Sequence, residues 1–168
     1  VNLNWDIYVR DSNGCIISAP LAVTIAMDPT PGIVLSIVDE CVSEGTYAVD
    51  VTMDVAGVGP YRISVNGGSP QSAPGWVLAG DVVTVSNLSS GAHTIAIVDA
   101  NGCGETENIT IFPPLTALAA VSSDENCDPA NTGEVTVTAN GGSGVYTYTR
   151  TSPAGPSNGT GVFTGLTH

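Results

Sequence analysis

The sequence contains no lysine. It has three arginines and 16 acidic side chains, which give a formal net charge of −13. Nucleic acids and anionic membrane surfaces attract proteins through cationic stripes, so we expect neither as a partner. No stretch reaches the roughly 18 apolar residues of a membrane span, and we expect no membrane insertion. The acidic surface is typical of a solvated extracellular protein.

Runs of Leu, Glu, Lys and Ala at helical spacing are also missing, and aromatic residues make up only 5%. Valine, isoleucine and threonine are abundant instead, with 20 glycines and 11 prolines. This composition is typical of many short strands joined by turns. Because 42% of residues are hydrophobic and 11% charged, we expect an ordered all-β fold with a buried core.

The sequence also lacks the residue patterns that are typical of catalytic sites. His93 and His168 stand apart from any Ser-His-Asp or His-Glu-x-x-His pattern. The glycine-rich segments 67–69 and 141–144 are followed neither by lysine nor by a helical pattern, so they are not phosphate loops. We therefore expect no catalytic site, no cofactor and no enzyme activity.

One short stretch occurs twice. Residues 8–15 read Tyr-Val-Arg-Asp-Ser-Asn-Gly-Cys, and residues 97–103 read Ile-Val-Asp-Ala-Asn-Gly-Cys. Asn-Gly between two alternating apolar runs predicts a tight hairpin, because both residues tolerate a positive φ. We interpret the stretch as the closing hairpin of a repeated β-domain.

Other landmarks recur in the same order. Cys15 and Cys103 are 88 residues apart, Cys41 and Cys127 are 86 apart, and residues 61 and 146, both tyrosines after a glycine-rich turn, are 85 apart. Such a regular offset indicates an internal repeat.

The repeat predicts tandem Ig-like antiparallel β-sandwiches, one complete and two partial. Residues 1–27 are expected to be the C-terminal hairpin of a preceding repeat, 28–113 a complete repeat, and 114–168 the N-terminal strands of a following one. The strands expected in the complete repeat are 33–38, 46–55, 60–65, 76–78, 81–86, 93–98 and 105–111.

The two partial repeats suggest a piece of a longer array, cut out of register. Two arrangements stay open. In the one we favour, the array is a single long polypeptide, as repeat arrays normally are. In the other, separate subunits polymerise by donating an N-terminal hairpin to the next subunit's open sandwich.

Three motifs carry a resemblance to a known family. They are the glycine-rich segment Gly141–Tyr148, the turn Leu88–Gly91, and the stretch Val98–Cys103. Together they resemble the SprB-type repeat of giant gliding-motility and surface adhesins of Bacteroidota-like bacteria. The middle repeat departs from the pattern, since Gly57–Tyr61 lacks the double glycine.

The resemblance implies a structural segment of an extracellular filament or giant adhesin on the bacterial cell surface, forming a stiff rod. Its partners would be adjacent copies, or the continuation of the same chain. The alternatives are an adhesion module that binds carbohydrate or a surface protein, and a pilus-like subunit that polymerises by hairpin donation.

The four cysteines lack a Cys-x-x-Cys pattern and nearby histidines, which indicates disulfides formed in an oxidising compartment. The simplest pair is Cys41–Cys103 within the complete repeat, with Cys15 and Cys127 pairing outside this chain. The rival scheme joins Cys15 to Cys41 and Cys103 to Cys127 across the junctions. In an Ig-like topology the positions of Cys41 and Cys103 lie at opposite poles, which counts against the first scheme.

Acidic residues near the domain ends are weak calcium candidates, namely Asp39, Glu40, Asp124 and Asp128. The segment 124–128 begins like a calcium loop, but Pro129 and Val135 stand where an EF-hand needs glycine and glutamate. Solvated turn carboxylates are the simpler interpretation.

Overall fold

A computed structural model describes residues 3–125 and 133–167 of the chain. All regular secondary structure in these residues is β, and every strand pair is antiparallel, which confirms the predicted fold class. Within the same residues, no helix is long and apolar enough to cross a membrane. The strands are β1 (Leu3–Ile7), β2 (Leu21–Ile25), β3 (Gly32–Ile37), β4 (Tyr47–Val55), β5 (Arg62–Val65), β6 (Gln71–Ser72), β7 (Val82–Leu88), β8 (Gly91–Val98), β9 (Gly104–Ile111), β10 (Thr116–Ser123), β11 (Gly133–Asn140) and β12 (Val162–Leu166).

Strands β3 to β9 form a sandwich of two sheets, with strand orders β3-β4-β7 and β6-β5-β8-β9. We call this the complete sandwich. Alternation along β4 buries every second side chain, because successive residues of a strand point to opposite faces. From the other sheet, Ile95 and Ile97 on β8 are 0% and 2% exposed. The four buried residues of β4, each 0% exposed, are Tyr47, Val49, Val51 and Met53.

The prediction of a strand at 76–78 is wrong. These residues form a turn, in which the Asp81 carboxylate accepts hydrogen bonds from the backbone N–H groups of Val77 and Leu78, both at 2.7 Å. These bonds favour the charged carboxylate and lower the pKa of Asp81 below its ordinary value. Trp76 enters the core from this turn, where its ring meets Tyr61 edge-on at 6.4 Å. The short edge strand of the sheet β6-β5-β8-β9 is β6, at Gln71–Ser72.

The chain enters the complete sandwich at one end and leaves at the other. The backbone N–H of Ile33, at the start of β3, donates to the Glu105 carboxylate at the start of β9, at 2.8 Å. Strand β9 then runs eight residues to Ile111, roughly 25 Å away at the usual rise per residue. We call these the entry end and the exit end.

Two further β-structures flank the complete sandwich in sequence. Strands β10, β11 and β12 form a three-stranded sheet in the order β10-β11-β12, the same arrangement as β3-β4-β7. Strands β1 and β2 form a hairpin that makes no ladder with any other described strand.

Candidate functional site

The two Asp-x-Asn-Gly-Cys turns fold identically. The Asp11 carboxylate accepts hydrogen bonds from the backbone N–H groups of Asn13 and Cys15, at 3.0 and 2.7 Å. The backbone N–H of Asp11 donates to the Cys15 carbonyl at 3.0 Å. Glycine is needed in each turn, because Gly14 and Gly102 have φ of 89° and 81°. The second turn, made by Asp99, Asn101 and Cys103, repeats the three bonds at 2.9, 2.9 and 2.8 Å.

Only the second turn is docked on a surface. Asp99 is 6% exposed, and its second carboxylate oxygen accepts the N–H of Val58 at 3.2 Å. The N–H of Ala100 donates to the Val58 carbonyl at 2.9 Å, and the Asn101 amide reaches Asp28 at 3.4 Å. The first turn, by contrast, is exposed. The closing turn of the complete sandwich is thus seated against the entry linker and the loop at 57–58.

The β1–β2 hairpin carries an apolar face without a cover. Residues directly opposite each other in an antiparallel pair share a face, and the register therefore segregates the hairpin into two faces. One face is polar or small, with Asn4, Asp6, Ala22 and Thr24. The other we call the apolar hairpin face; its residues, 43–58% exposed, are Leu3, Trp5, Ile7, Leu21, Val23 and Ile25.

The three-stranded sheet is also open on one side. The face that carries Val135 and Val137 corresponds to the β4 face that carries Val49 and Val51, yet both valines of β11 are only half-buried. Val121, opposite Val135 in the ladder, is 65% exposed. We call this surface the open sheet face; the register assigns to it Ala117, Ala119, Val121, Val135, Val137, Ala139 and Phe163.

Three cavities surround the open sheet face. One of about 270 Å³ is lined by Val121, Gly133 and Leu166, among others. A second of about 230 Å³, towards the other end of the sheet, is lined by Ala117 and Ala139. The third, of about 370 Å³, lies at the junction with the complete sandwich; its lining residues are Glu40, Cys41, Val42, Pro114, Leu115 and Gly142. We call the third the junction cavity.

The predicted Cys41–Cys103 disulfide is absent, since both thiols are free and exposed, as is that of Cys15. Cys103 lies in the turn at the entry end, whereas Cys41 lies beyond the exit end of β3. The six residues of β3 alone separate the two ends by roughly 17–20 Å, far beyond the Cα separation of about 4.4–6.8 Å that a disulfide allows. The pairing of Cys15 outside this chain stays a prediction, and Cys127 lies outside the described residues.

The calcium candidates do not converge. Glu40 borders the junction cavity beside Leu115, just before β10 begins, whereas Asp124 follows the far end of that eight-residue strand. The Asp39 carboxylate accepts a hydrogen bond from the backbone N–H of Cys41, two residues away, at 2.7 Å. Asp128 lies outside the described residues, and among those described no three His, Cys, Asp or Glu side chains are grouped as metal ligands.

The His93 side chain is buried and hydrogen-bonded on both ring nitrogens. It is 6% exposed, and its Nε2 lies 2.8 Å from the Ser89 carbonyl, an acceptor only. Nε2 therefore carries the proton, and Nδ1 accepts the Asn66 amide at 3.0 Å. His168 lies outside the described residues.

Sequence reasoning recognised the two turns but missed the apolar hairpin face. The alternation Leu3-x-Trp5-x-Ile7 against Leu21-x-Val23-x-Ile25 was available as a signal. It specifies a hairpin with one side built to be buried.

The fold and its internal symmetry define a class, namely antiparallel β-sandwich repeats arranged in tandem. Residues 119–155 match the family model of the SprB repeat, which confirms the resemblance for that stretch of the chain. No curated protein and no solved structure matches the chain.

Proposed function

We propose that the chain is a structural segment of an extracellular filament or giant adhesin on a bacterial surface, in which β-sandwiches follow one another as a stiff rod. The observation that carries the proposal is the position of the two linkers. The chain enters the complete sandwich beside the start of β9 and leaves at its end, roughly 25 Å away. Domains joined in this way line up end to end, and the SprB-repeat match supports the surface location.

Both linkers are braced against bending. Pro31 is fully buried at the entry end, and the Asn101 amide contacts Asp28. On the exit side, the N–H of Gly142 donates to the Pro113 carbonyl at 2.7 Å. Proline fixes φ and so reduces the number of conformations that a linker can adopt. Each contact therefore ties a linker to a neighbouring domain and favours a stiff rod over a flexible string.

The proposed repeat boundaries are 1–27, 28–113 and 114–168. The partners in the rod are adjacent copies of the chain or further repeats of the same polypeptide, joined through the same end-to-end contacts. No charged or aromatic cluster is needed for this function, because the interface is built from strands and turns.

The function is tested by imaging cells that make the protein. An antibody raised against residues 28–113 should label filaments on the cell surface in electron micrographs, at a regular spacing set by the repeat length. Labelling confined to the cell interior, or to discrete particles without filaments, would contradict the proposal. Mass measurement of denatured filaments then separates a single giant chain from subunits of 16.9 kDa.

A further inference from the structure

The chain holds both halves of a second sandwich, and they are separated. In the complete sandwich, the β8–β9 hairpin covers the sheet β3-β4-β7. The β1–β2 hairpin is the sequence counterpart of β8–β9, and the sheet β10-β11-β12 is the counterpart of β3-β4-β7. We propose that the β1–β2 hairpin of a second copy of this chain docks on the open sheet face, completes its sandwich and brings Cys15 into a disulfide with Cys41. The inference rests on the proposed function and names the partner that joins two segments.

Burial identifies which side of the hairpin docks. The offset of 88 residues places Ile7 and Val9 at the positions of Ile95 and Ile97. The side chains on β8 are 0% and 2% exposed, whereas Ile7 and Val9 are 47% and 51% exposed. The same apolar pattern is therefore fully covered in one copy and uncovered in the other. Burial of large apolar side chains is the main driving force when one β-sheet face packs on another.

Side-chain sizes on the two surfaces are complementary. At the exit end of the complete sandwich, Tyr47 on β4 and His93 on β8 are both buried. At the corresponding positions, β11 has Gly133 and the hairpin has Trp5. The sheet is smaller where the hairpin is larger, and the cavity beside Gly133 lies open. A hairpin bearing Trp5 therefore fits this sheet better than one bearing histidine, since cores require conserved total volume.

A hairpin from the same molecule cannot reach the open sheet face. The hairpin precedes the entry end of the complete sandwich, and the three-stranded sheet follows the exit end. The linker 26–31 spans at most about 21 Å when fully extended. It would have to cover roughly 25 Å along β9 and then the length of the sheet. The hairpin and the sheet of one chain therefore do not pair with each other, and our proposal assigns the hairpin to another copy; that contact is head-to-tail and builds an open fibre.

The docked turn should occupy the junction cavity. In the complete sandwich, a methyl group added at Gly57 would lie 2.7 Å from the Asp99 carboxylate, because the closing turn fills that space. At the equivalent Gly142, the nearest atom is a Leu115 methyl at 3.7 Å, and the space beyond is the junction cavity. Asp11 of the incoming turn takes the place that Asp99 holds. Its turn partner Cys15 then arrives in the cavity that Cys41 lines.

The covalent step is a thiol–disulfide exchange. The Cys15 and Cys41 thiols each give up one proton and, together, two electrons, and one S–S bond forms between the two copies. A disulfide oxidant such as oxidised glutathione accepts the electrons and protons and is reduced to two thiols. The bond locks a contact that the apolar surfaces have already made.

The test uses the full chain with oxidised glutathione at increasing protein concentration. We expect a ladder of covalent multimers, resolved by non-reducing electrophoresis, with a Cys15–Cys41 peptide identified by mass spectrometry. Replacement of Cys103 and Cys127 by serine should leave this ladder in place. In that background, mixing Cys15→Ser with Cys41→Ser should give a covalent product that stops at the dimer, because each copy then offers one end only.

The matched surface variants separate docking from random oxidation. Trp5→Asp, on the apolar hairpin face, should weaken association about thirtyfold or more and remove the ladder, since central tryptophans dominate such contacts. Thr24→Asp, on the opposite face of the same hairpin, should leave both unchanged. Thermal unfolding of the complete sandwich serves as the folding control and should be equal in the two variants.

A chain that stays monomeric at all concentrations overturns the inference, as does a ladder that survives Trp5→Asp or lacks the Cys15–Cys41 peptide. These results leave the rod proposal standing, because filaments of one continuous polypeptide would still be labelled on cells. Conversely, assembly of the purified chain without surface filaments would contradict the proposed function and leave the docking contact established.

Discussion

Strands β4 and β11 occupy the same position in two sheets of the same strand order, yet they are buried to different degrees. Val49 and Val51 on β4 are 0% exposed, whereas Val135 and Val137 on β11 are half-buried. The alternating pattern of the strands is the same. What differs is the second sheet, to which β8 and β9 contribute in the complete sandwich. A strand's own sequence thus prepares one face for burial, and a distant hairpin decides whether burial occurs.

The largest expected effect contrasts Ile95 with its counterpart Ile7. Ile95→Ala removes a side chain that is 0% exposed and should lower the free energy of unfolding by about 3 kcal/mol. Ile7→Ala, at a position 47% exposed, should change it by less than about 0.5 kcal/mol in dilute solution. Urea unfolding of both variants measures the difference. Equal losses would show that the hairpin is already packed within the single chain.

A second contrast concerns the two turns. Asp99→Ala deprives the N–H groups of Val58, Asn101 and Cys103 of their acceptor at a buried site and should destabilise the complete sandwich by about 2–3 kcal/mol. Asp11→Ala breaks two exposed bonds, which water can replace, and should cost less than about 1 kcal/mol. Thermal unfolding at low protein concentration compares them. A cost for Asp11→Ala as large as that for Asp99→Ala would contradict the undocked state of the first turn.

Acid should weaken the complete sandwich through Asp81. The pKa of this carboxylate is lowered in the folded state, so the folded form binds the proton less readily than the unfolded chain. Its stabilising contribution is present above the ordinary pKa near 3.8 and is lost as the pH falls through the folded value. Unfolding measured over acidic pH should depend less on pH in Asp81→Asn. An unchanged dependence in that variant would exclude Asp81 as a source.

The smallest effect is expected from Tyr47→Phe. The Tyr47 hydroxyl is buried without a hydrogen-bond partner among the described residues, and burial, followed by Glu44 and Cys41, raises its pKa. Removing an unpaired buried hydroxyl should leave stability unchanged or raise it by up to about 1 kcal/mol. Differential scanning calorimetry can resolve this change. A clear loss of stability would reveal a partner for the hydroxyl, such as a bound water.

Much of the fold could be predicted from local signals. Alternation in 46–55 and the Asn-Gly turns specify strands and hairpins, because those patterns act over a few residues. The strand at 76–78 was mispredicted because Asp81 binds two backbone N–H groups and holds a turn there. In the structure, Trp76 of that apolar segment packs into the core of the complete sandwich, whereas Val77 and Leu78 are exposed.

The cysteine pairing could not be predicted from spacing alone. Regular offsets show that Cys41 and Cys103 belong to one repeat, but not that they lie at its opposite ends. The Ig-like topology predicted that placement, and the contact between Ile33 and Glu105, which fixes the direction of β3 relative to β9, confirms it. Hairpin donation was one of the two arrangements that the sequence left open, but the two apolar faces that would meet were not identified, because they lie at opposite extremes of the chain.

Quenching of tryptophan fluorescence by iodide tests the central claim most directly. Trp5 is 56% exposed and Trp76 is 4% exposed, so iodide should reach only Trp5 in the dilute chain. If hairpins complete the open sandwiches of neighbouring copies, the quenchable fraction should fall towards zero as the protein concentration rises, and it should return on dilution under reducing conditions. A quenchable fraction that stays constant while the chain assembles would show that the apolar hairpin face remains in water, and would contradict the account.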